Sequence, residues 1–181
     1  AMDRIYEMAD KGGALWVIDA DIRDYFGSIN HDKLLLLVKQ RITDRRVLKL
    51  IKGWLKAGVL EDGQYSESTV GAPQGGVISP LLSNIYLNYF DVCWSKRFGH
   101  LGELVRYADD FVILCKKLSQ AEEALCAVKG IMKKLELTLH SEKTRLVDMY
   151  FGKDSFDFLG FNNRFQRFRN KSWQWYWTLQ Q

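Results

Sequence analysis

The segment LVRYADDFVILCK, residues Leu104–Lys116, places two adjacent aspartates between two apolar stretches. The flanking sequences ELVRY and FVILC are rich in β-branched and aromatic residues, which is typical of strands. The short connection predicts a hairpin with Asp109 and Asp110 at its tip. Two like charges at one tight turn indicate either a solvated turn or a site for a cation, and the hairpin alone leaves both interpretations open.

A second apolar segment, ALWVIDADI at residues 14–22, carries Asp21 near its end. If the two segments are neighbours in one sheet, Asp21 can meet Asp109 and Asp110. Three carboxylates so close together repel one another by several kcal/mol at low dielectric constant. A hard divalent cation removes that repulsion and takes oxygen ligands. Two such ions about 4 Å apart are the apparatus of nucleotidyl transfer.

The composition describes one folded domain or part of one. The chain has 181 residues, 47% hydrophobic residues and two prolines. Its three cysteines lack the spacing of a metal site and are interpreted as reduced, packed thiols. No run of 18 apolar residues and no signal peptide occurs, so membrane insertion and secretion are not expected. We expect a prokaryotic cytoplasmic protein.

The C-terminal tail carries the charge excess. Residues 158–181 contain four basic and no acidic residues, while the net charge of the whole chain is +4. Aromatic residues are interleaved with these cations, which suits a nucleic-acid surface. The alternation of Trp173, Trp175 and Trp177 equally suits a strand pair with one buried aromatic face.

Periodicity and capping signals predict alternating helices and strands. Helices are expected from an Asn30 N-cap to Ile42, over Arg45–Lys56, from Ser79 and Pro80 to Gly99, and after a capping box of Ser119 and Glu122. Further strands are expected near residues 138–139, 144–149 and 156–161. The natural assembly is an α+β fold, an antiparallel sheet backed by helices on one face.

Four ordered motifs carry a family resemblance: DADIRDYF, GAPQGGVISPLLSNIYLNYFD, RYADD, and LTLHSEKT with FDFLGF. Together they resemble the palm of a reverse transcriptase, most similar to the prokaryotic group II intron-encoded class. The resemblance implies a palm domain over residues 1–161. Residues 162–181 would form a basic aromatic tail, a β-hairpin at the palm–thumb boundary.

The resemblance also implies roles for individual acidic residues. Asp21 and Asp109 would be bridging ligands of two Mg²⁺ ions, for which Mn²⁺ can substitute, with Asp110 adjacent as a third catalytic carboxylate. Ile22 would offer its backbone carbonyl to one ion. Asp19 and Asp24 match no catalytic position and are interpreted as solvated or hydrogen-bonded carboxylates.

Other motif residues would contact the substrates. Phe26 would lie against the sugar of the incoming nucleotide, where its ring clashes with a 2′-hydroxyl and favours dNTPs. Tyr107 would pack beside the primer end or template. Lys143 would protonate departing pyrophosphate, a task that suits a lysine with a lowered pKa, although an ordinary surface lysine is the open alternative. The wall of the nucleotide site would be formed by Pro73, Gln74 and Gly75.

The chain departs from the family pattern in three respects. Nothing corresponds to the basic fingers residues that grip the triphosphate, and the chain stops where a thumb would begin. Gly27 stands where an aspartate is common. We therefore expect a palm fragment that is weak or inactive alone.

The expected partners are an RNA template, a DNA or RNA primer, dNTPs and an intron RNA, with no membrane. Two alternatives remain open. One is an RNA-binding module for splicing or phage defence that does not polymerise, and the other is an RNA-dependent RNA polymerase. The sequence does not choose among intron mobility, CRISPR spacer acquisition, retron-like synthesis and defence.

Overall fold

The computed structural model describes residues 1–11, 13, 16–56, 59–61, 64–66, 70–71, 77–167 and 175–180. The α-helices are α1 Met2–Tyr6, α2 Tyr25–Ser28, α3 His31–Lys39, α4 Arg45–Lys56, α5 Ser79–Cys93 and α6 Leu118–Lys134. The strands are β1 Trp16–Ala20, β2 Val59–Glu61, β3 Gln64–Ser66, β4 Glu103–Tyr107, β5 Asp110–Cys115, β6 Arg145–Asp148, β7 Phe156–Phe158, β8 Phe161–Arg167 and β9 Trp175–Gln180.

A four-stranded antiparallel sheet with the order β4-β5-β1-β6 organises the fold. Because side chains alternate along a strand, β1 sends Ile18 and Ala20 to one face and Val17 to the other. The first face packs against α3, α5 and α6 in the larger core. The second face packs against α1 and β7 through Ile5 and Phe156. The predicted α+β fold is confirmed, with a smaller layer also covering the second face.

The helix over residues 31–39 begins where the sequence predicts it. The Asn30 side chain accepts a hydrogen bond from the Lys33 backbone N–H at 3.0 Å, which satisfies one free donor of the first turn. Leu34 and Val38 then lie one turn apart in the core. The predicted bounds of α4 agree with those observed.

Two predicted helix starts are wrong, that of α5 by one residue and that of α6 by two. Ile78 is the N-cap of α5, so Ser79 is the first helical residue, and it is buried. Lys117, in extended conformation, is the N-cap of α6, so Ser119 lies inside the first turn. The capping box fails because an N-cap side chain can reach the free N–H groups only from a non-helical residue. The helix predicted to reach Gly99 ends as an α-helix at Cys93 and continues as a π-helical turn over Trp94–Phe98.

Strands β7, β8 and β9 form a second antiparallel sheet. Strand β8 begins at Phe161 and pairs with both β7 and β9. The predicted division into domains at residue 161 stays a prediction. Trp173 lies outside the described residues. In the part of the chain that the structure describes, no helix is long and apolar enough to cross a membrane.

Tyr86 gives a direct test of how α5 is tied to the rest of the core. Its side chain is fully buried, and its hydroxyl donates a hydrogen bond to the Leu135 carbonyl at 2.6 Å, just after α6. Tyr86→Phe should lower the free energy of unfolding by about 1–2 kcal/mol, because a buried carbonyl loses its donor. Urea unfolding measures this change. Tyr6→Phe, at a residue that is 44% exposed, is the control and should change stability little.

Candidate functional site

Four of the predicted site residues form one row across an end of the central sheet. Ala20 pairs with Phe111, so the next residues along the two antiparallel strands, Asp21 and Asp110, are neighbours. Asp110 in turn pairs with Tyr107 at the end of β4. On the other side of β1, Lys143 precedes β6 and its ammonium contacts the Asp21 carboxylate. The register therefore brings together residues that are up to 122 positions apart.

The tip of the hairpin differs from the sequence prediction. Because Tyr107 pairs with Asp110, the turn consists of Ala108 and Asp109, and Asp110 is already the first residue of β5. Ala108 has a φ of 54°, a left-handed conformation that is uncommon outside glycine. The strand pleat directs Asp110 to the same face as Val112 and Asp21. Asp109 belongs to the turn, not to this row.

Asp109 nevertheless lies close to both faces of the hairpin. Its negative charge contributes to raising the pKa of Asp110. Burial raises the pKa of the Tyr25 hydroxyl, and the Asp109 carboxylate adds to that rise. Asp109 therefore lies near enough to both groups to act on their charge, although it does not line the pocket beside Asp110.

An open pocket surrounds the row of charged residues. It is lined by Asp19, Ala20, Asp21, Asp110, Phe111, Lys143, Arg145, Asp157, Phe158 and Leu159. Arg145 donates a hydrogen bond from Nε to the Asp19 carboxylate at 3.1 Å. Burial raises the pKa of Asp19, with additions from Asp157 and Asp110, while Arg145 opposes the shift. The pocket thus collects four carboxylates against two cations.

Asp110 is subject to the like-charge repulsion that the sequence suggests. Partial burial raises its pKa, the charges of Asp109 and Asp21 raise it further, and Lys143 lowers it. Each raising effect disfavours the ionised carboxylate. A cation placed between Asp21 and Asp110 would remove that cost.

Lys143 provides a positive charge at this position. Its Nζ lies 2.7 Å from Asp21 Oδ2, and its side chain is 63% exposed. The hydrogen bond to Asp21 and the charge of that carboxylate raise the pKa of Lys143. The expectation of a lowered pKa is wrong, because an exposed ammonium pays little for burial and gains a carboxylate partner. Because its pKa is raised, Lys143 holds its proton more tightly than a lysine without this partner does.

The oxygen donors beside the pocket fit a hard divalent cation. The His140 N–H donates to the Asp21 carbonyl at 2.8 Å, and the Arg23 N–H donates to the Thr138 carbonyl at 2.8 Å. In an antiparallel pair these two bonds flank Ile22, so the Ile22 carbonyl points away from that edge, towards the β5 side. Carboxylate and carbonyl oxygens are the ligands that Mg²⁺ takes. Among the described residues, no group of three or more His, Cys, Asp or Glu side chains is arranged to hold an ion.

Phe26 lies where the chain approaches the predicted nucleotide-binding loop. Its ring packs 5.4 Å from that of Tyr25, and the residue is half-buried. Gly71, at a φ of +99°, is so close that an added Cβ would lie 3.3 Å from the Phe26 carbonyl oxygen. The Gly71 N–H also donates to the Ile29 carbonyl at 2.8 Å. Pro73, Gln74 and Gly75 lie outside the described residues, but the chain two residues before Pro73 is held beside Phe26.

Gly27, where the family commonly has an aspartate, lies directly against the Asp24 side chain. Asp24 has a φ of 42°, and a Cβ at residue 27 would lie 2.3 Å from one of its carboxylate oxygens. A side chain at residue 27 would therefore displace the Asp24 carboxylate. Asp24 is exposed, so its carboxylate can move aside by a side-chain rotation.

Sequence reasoning missed Arg106 and Asp157. Arg106 bonds to the hairpin turn and to α5, and Asp157 lines the pocket. The available signal for Arg106 was a cation inside an apolar strand. Asp157, in FDFLGF, alternates with two phenylalanines that are buried, which indicates that it faces the other side of β7.

Comparisons with known proteins agree with this arrangement. The family model described as reverse transcriptase (RNA-dependent DNA polymerase) matches residues 2–163. Protein YkfC of Escherichia coli K12 is 33% identical in an alignment that covers 80% of this chain and 46% of that protein. The group II intron-encoded protein LtrA of Lactococcus lactis subsp. cremoris is 46% identical over 80 residues, covering 44% of this chain and 13% of that protein.

A solved structure shows a similar fold. The apo telomerase of Candida tropicalis, truncated from its C-terminal domain, superposes with a TM-score of 0.66 at 16% identity, covering 90% of this chain and 36% of that one. This chain spans less than half the length of YkfC and a smaller share of LtrA. With the family model spanning most of its residues, the chain belongs to the reverse transcriptase family and is similar to its group II intron-encoded members.

Proposed function

We propose that this chain is the palm of an RNA-directed DNA polymerase, which adds dNTPs to a primer 3′-hydroxyl on an RNA template. The observation that carries the proposal is the meeting of Asp21 and Asp110 in one pocket, at the ends of two paired strands. Both carboxylates lie beside a cation, and the pKa of Asp110 is raised in part by Asp21. Family membership supports the reaction class.

Asp21, Asp109 and Asp110, with the Ile22 carbonyl, would hold two Mg²⁺ ions, or Mn²⁺ in their place. Bound ions would favour deprotonation of the primer hydroxyl and neutralise the charge of the leaving pyrophosphate. The Lys143 ammonium would donate its proton to pyrophosphate as the bond to the α-phosphorus breaks. Its place in the pocket beside Asp21 supports this role, because the ammonium lies next to the proposed metal ligands.

The neighbouring aromatic residues would select and orient the substrates. Phe26 would lie under the sugar of the incoming nucleotide, and Gln74 with its neighbours would form the wall of that site. Tyr107 is 62% exposed at the end of the row and would contact the primer end or template. An exposed ring beside acidic residues suits stacking against a base or sugar.

The biological setting is a further part of the proposal. The similarity to LtrA supports an origin in a group II intron-like element, with intron RNA as an additional partner. A prokaryotic cytoplasmic location is consistent with such an element. An RNA-binding or defence module without polymerisation is the rival function, and the facing carboxylates favour the polymerase.

Removal of either facing carboxylate should abolish extension. In the full-length protein, Asp21→Asn and Asp110→Asn should each lower the extension rate on a primed RNA template at least about 100-fold, because the site loses charge where transition-state charge develops. Asp32→Asn, at an exposed carboxylate in the first turn of α3, is the charge-matched control and should retain activity. Equal activity in wild type and the Asp110 variant would favour the rival function.

The Asp110 carboxylate should destabilise the metal-free protein. Because the pKa of Asp110 is raised, its ionisation disfavours folding above the unfolded pKa of about 3.9. Asp110→Asn should therefore raise the free energy of unfolding at pH 7 by a few tenths to about 1 kcal/mol, after allowance for solvent screening. The gain should vanish below about pH 3, where both variants are neutral. Asp44→Asn should bring no gain, because the hydrogen bond from Arg46 lowers the pKa of Asp44.

Addition of Mg²⁺ should make the wild type more stable than the Asp110→Asn variant. At ten times its Kd, the ion should stabilise the wild type by about 1.4 kcal/mol and the Asp110 variant by less. Thermal unfolding with and without the ion gives both values. Equal stabilisation of the two proteins would contradict the assignment of Asp110 as a ligand.

Phe26 tests the choice between deoxynucleotides and ribonucleotides. Phe26→Val should raise the ratio of rNTP to dNTP incorporation at least about tenfold, because the smaller side chain leaves room for a 2′-hydroxyl. Tyr6→Phe serves as an aromatic control at an exposed site. Kinetics of single-nucleotide addition measure the ratio, and efficient rNTP use by the wild type would instead indicate an RNA polymerase.

A further inference from the structure

Arg106 connects the aspartate turn to helix α5. It lies on β4 opposite Phe111, so its side chain leaves the sheet on the helix-covered face, away from the pocket. Nε donates to Asp91 Oδ1 at 2.8 Å, and Nη2 donates to Asp91 Oδ2, which makes a two-pronged ion pair. Nη1 donates to the Ala108 carbonyl at 2.6 Å and to Asn84 Oδ1 at 3.0 Å.

The hydrogen bond from Arg106 to the Ala108 carbonyl restrains the conformation of the Ala108–Asp109 turn. Ala108 adopts a φ of 54°, which a residue with a side chain keeps only when its surroundings hold it there. Its carbonyl belongs to the peptide that joins Ala108 to Asp109, so the bond from Arg106 fixes the orientation of that peptide. Asp109 and Asp110 follow directly. Their placement thus depends on a group on the opposite face of the sheet.

The pair is built into the structure and differs from an ordinary surface ion pair. The Arg106 side chain is 12% exposed and that of Asp91 is 35% exposed. The planar guanidinium uses three nitrogens on three separate partners, a geometry that lysine cannot reproduce. Asp91 and Asn84 lie two turns apart on the same face of α5, so the helix presents a fixed surface to the arginine.

We propose that Arg106, anchored by Asp91, is a positioning residue that sets the Ala108–Asp109 turn and so places the carboxylates of Asp109 and Asp110 for metal binding. This inference rests on the proposed polymerase function. Arg106 contacts no substrate in this role. It acts through the Ala108 carbonyl, and its loss should affect metal use before it affects nucleotide binding.

Arg106→Lys and Asp91→Asn in the full-length protein test the inference. Arg106→Lys should lower kcat for primer extension at least about tenfold and raise the Mg²⁺ concentration for half-maximal rate at least about fivefold. The KM for dNTP should stay within about twofold. Asp91→Asn should shift both quantities in the same direction by less. The double variant should be no worse than Arg106→Lys, because the two substitutions remove the same Arg106–Asp91 contact. Arg97→Lys, at an exposed arginine after α5, is the matched control and should behave as wild type.

Hydrogen exchange provides a readout that does not depend on activity. The amides of residues 107–110 should exchange at least about tenfold faster in Arg106→Lys than in wild type or Arg97→Lys, with the centre of α6 unchanged. Unchanged exchange at the turn would overturn the inference, whether or not the protein polymerises. Faster exchange with unaltered kcat and Mg²⁺ dependence would overturn the positioning role.

The two proposals fail in distinguishable ways. If the wild type extends no primer, the proposed function is wrong, and exchange at the turn alone then decides whether Arg106 holds it. If Arg106→Lys does not fold, Asp91→Asn carries the same two measurements. Slow exchange at the turn and wild-type kinetics in that variant would overturn the inference.

Discussion

The constraint on which this structure depends is the enforced closeness of Asp21 and Asp110. Two unit charges about 4 Å apart repel by about 1 kcal/mol in water and about 4 kcal/mol near a protein surface. Such a pair persists only if the surrounding structure fixes it. Here the register of β1 and β5 fixes it, because a shift of one residue would turn Val17, Ile18 and their neighbours to the wrong faces.

The two hydrophobic cores, one on each face of the central sheet, therefore stabilise the register that holds the charged row together. Val17 packs with Leu114 and Val147 below the row on one face, while Ile18 packs with Ile113 against the helices on the other. Burial of these side chains contributes about 1.5–3 kcal/mol each, which exceeds the repulsion at the strand ends. Lys143 offsets part of that repulsion from an exposed turn.

The sequence predicted the parts of the fold that are set by local patterns. The Asn30 cap, the bounds of α4 and the apolar strand FVILC are each determined within a few residues. The hairpin tip was misplaced because the pairing of Tyr107 with Asp110, not composition, decides which residues form the turn. The start of α5 was misplaced because packing buries Ser79, whereas α6 begins two residues before its predicted N-cap position, at the exposed Leu118.

The candidate site was predictable as a set of residues, but not as a set of contacts. The motifs named Asp21, Asp110, Tyr107 and Lys143, and the structure places them in one row. The direction of the Lys143 pKa shift was not predictable, because it depends on a partner 122 positions away. Nucleotide-site residues 73–75 lie outside the described part of the chain, so their predicted role stays a prediction.

Helix α5 contacts both the segment that carries Phe26 and the strand that leads into the aspartate turn. The Tyr25 hydroxyl donates to the Ser83 carbonyl at 2.7 Å, which ties the segment carrying Phe26 to the first part of this helix. Arg106 ties the aspartate turn to Asn84 and Asp91 on the same helix. The residue proposed to read the sugar and the residues proposed to hold the metals are thus set against one rigid element.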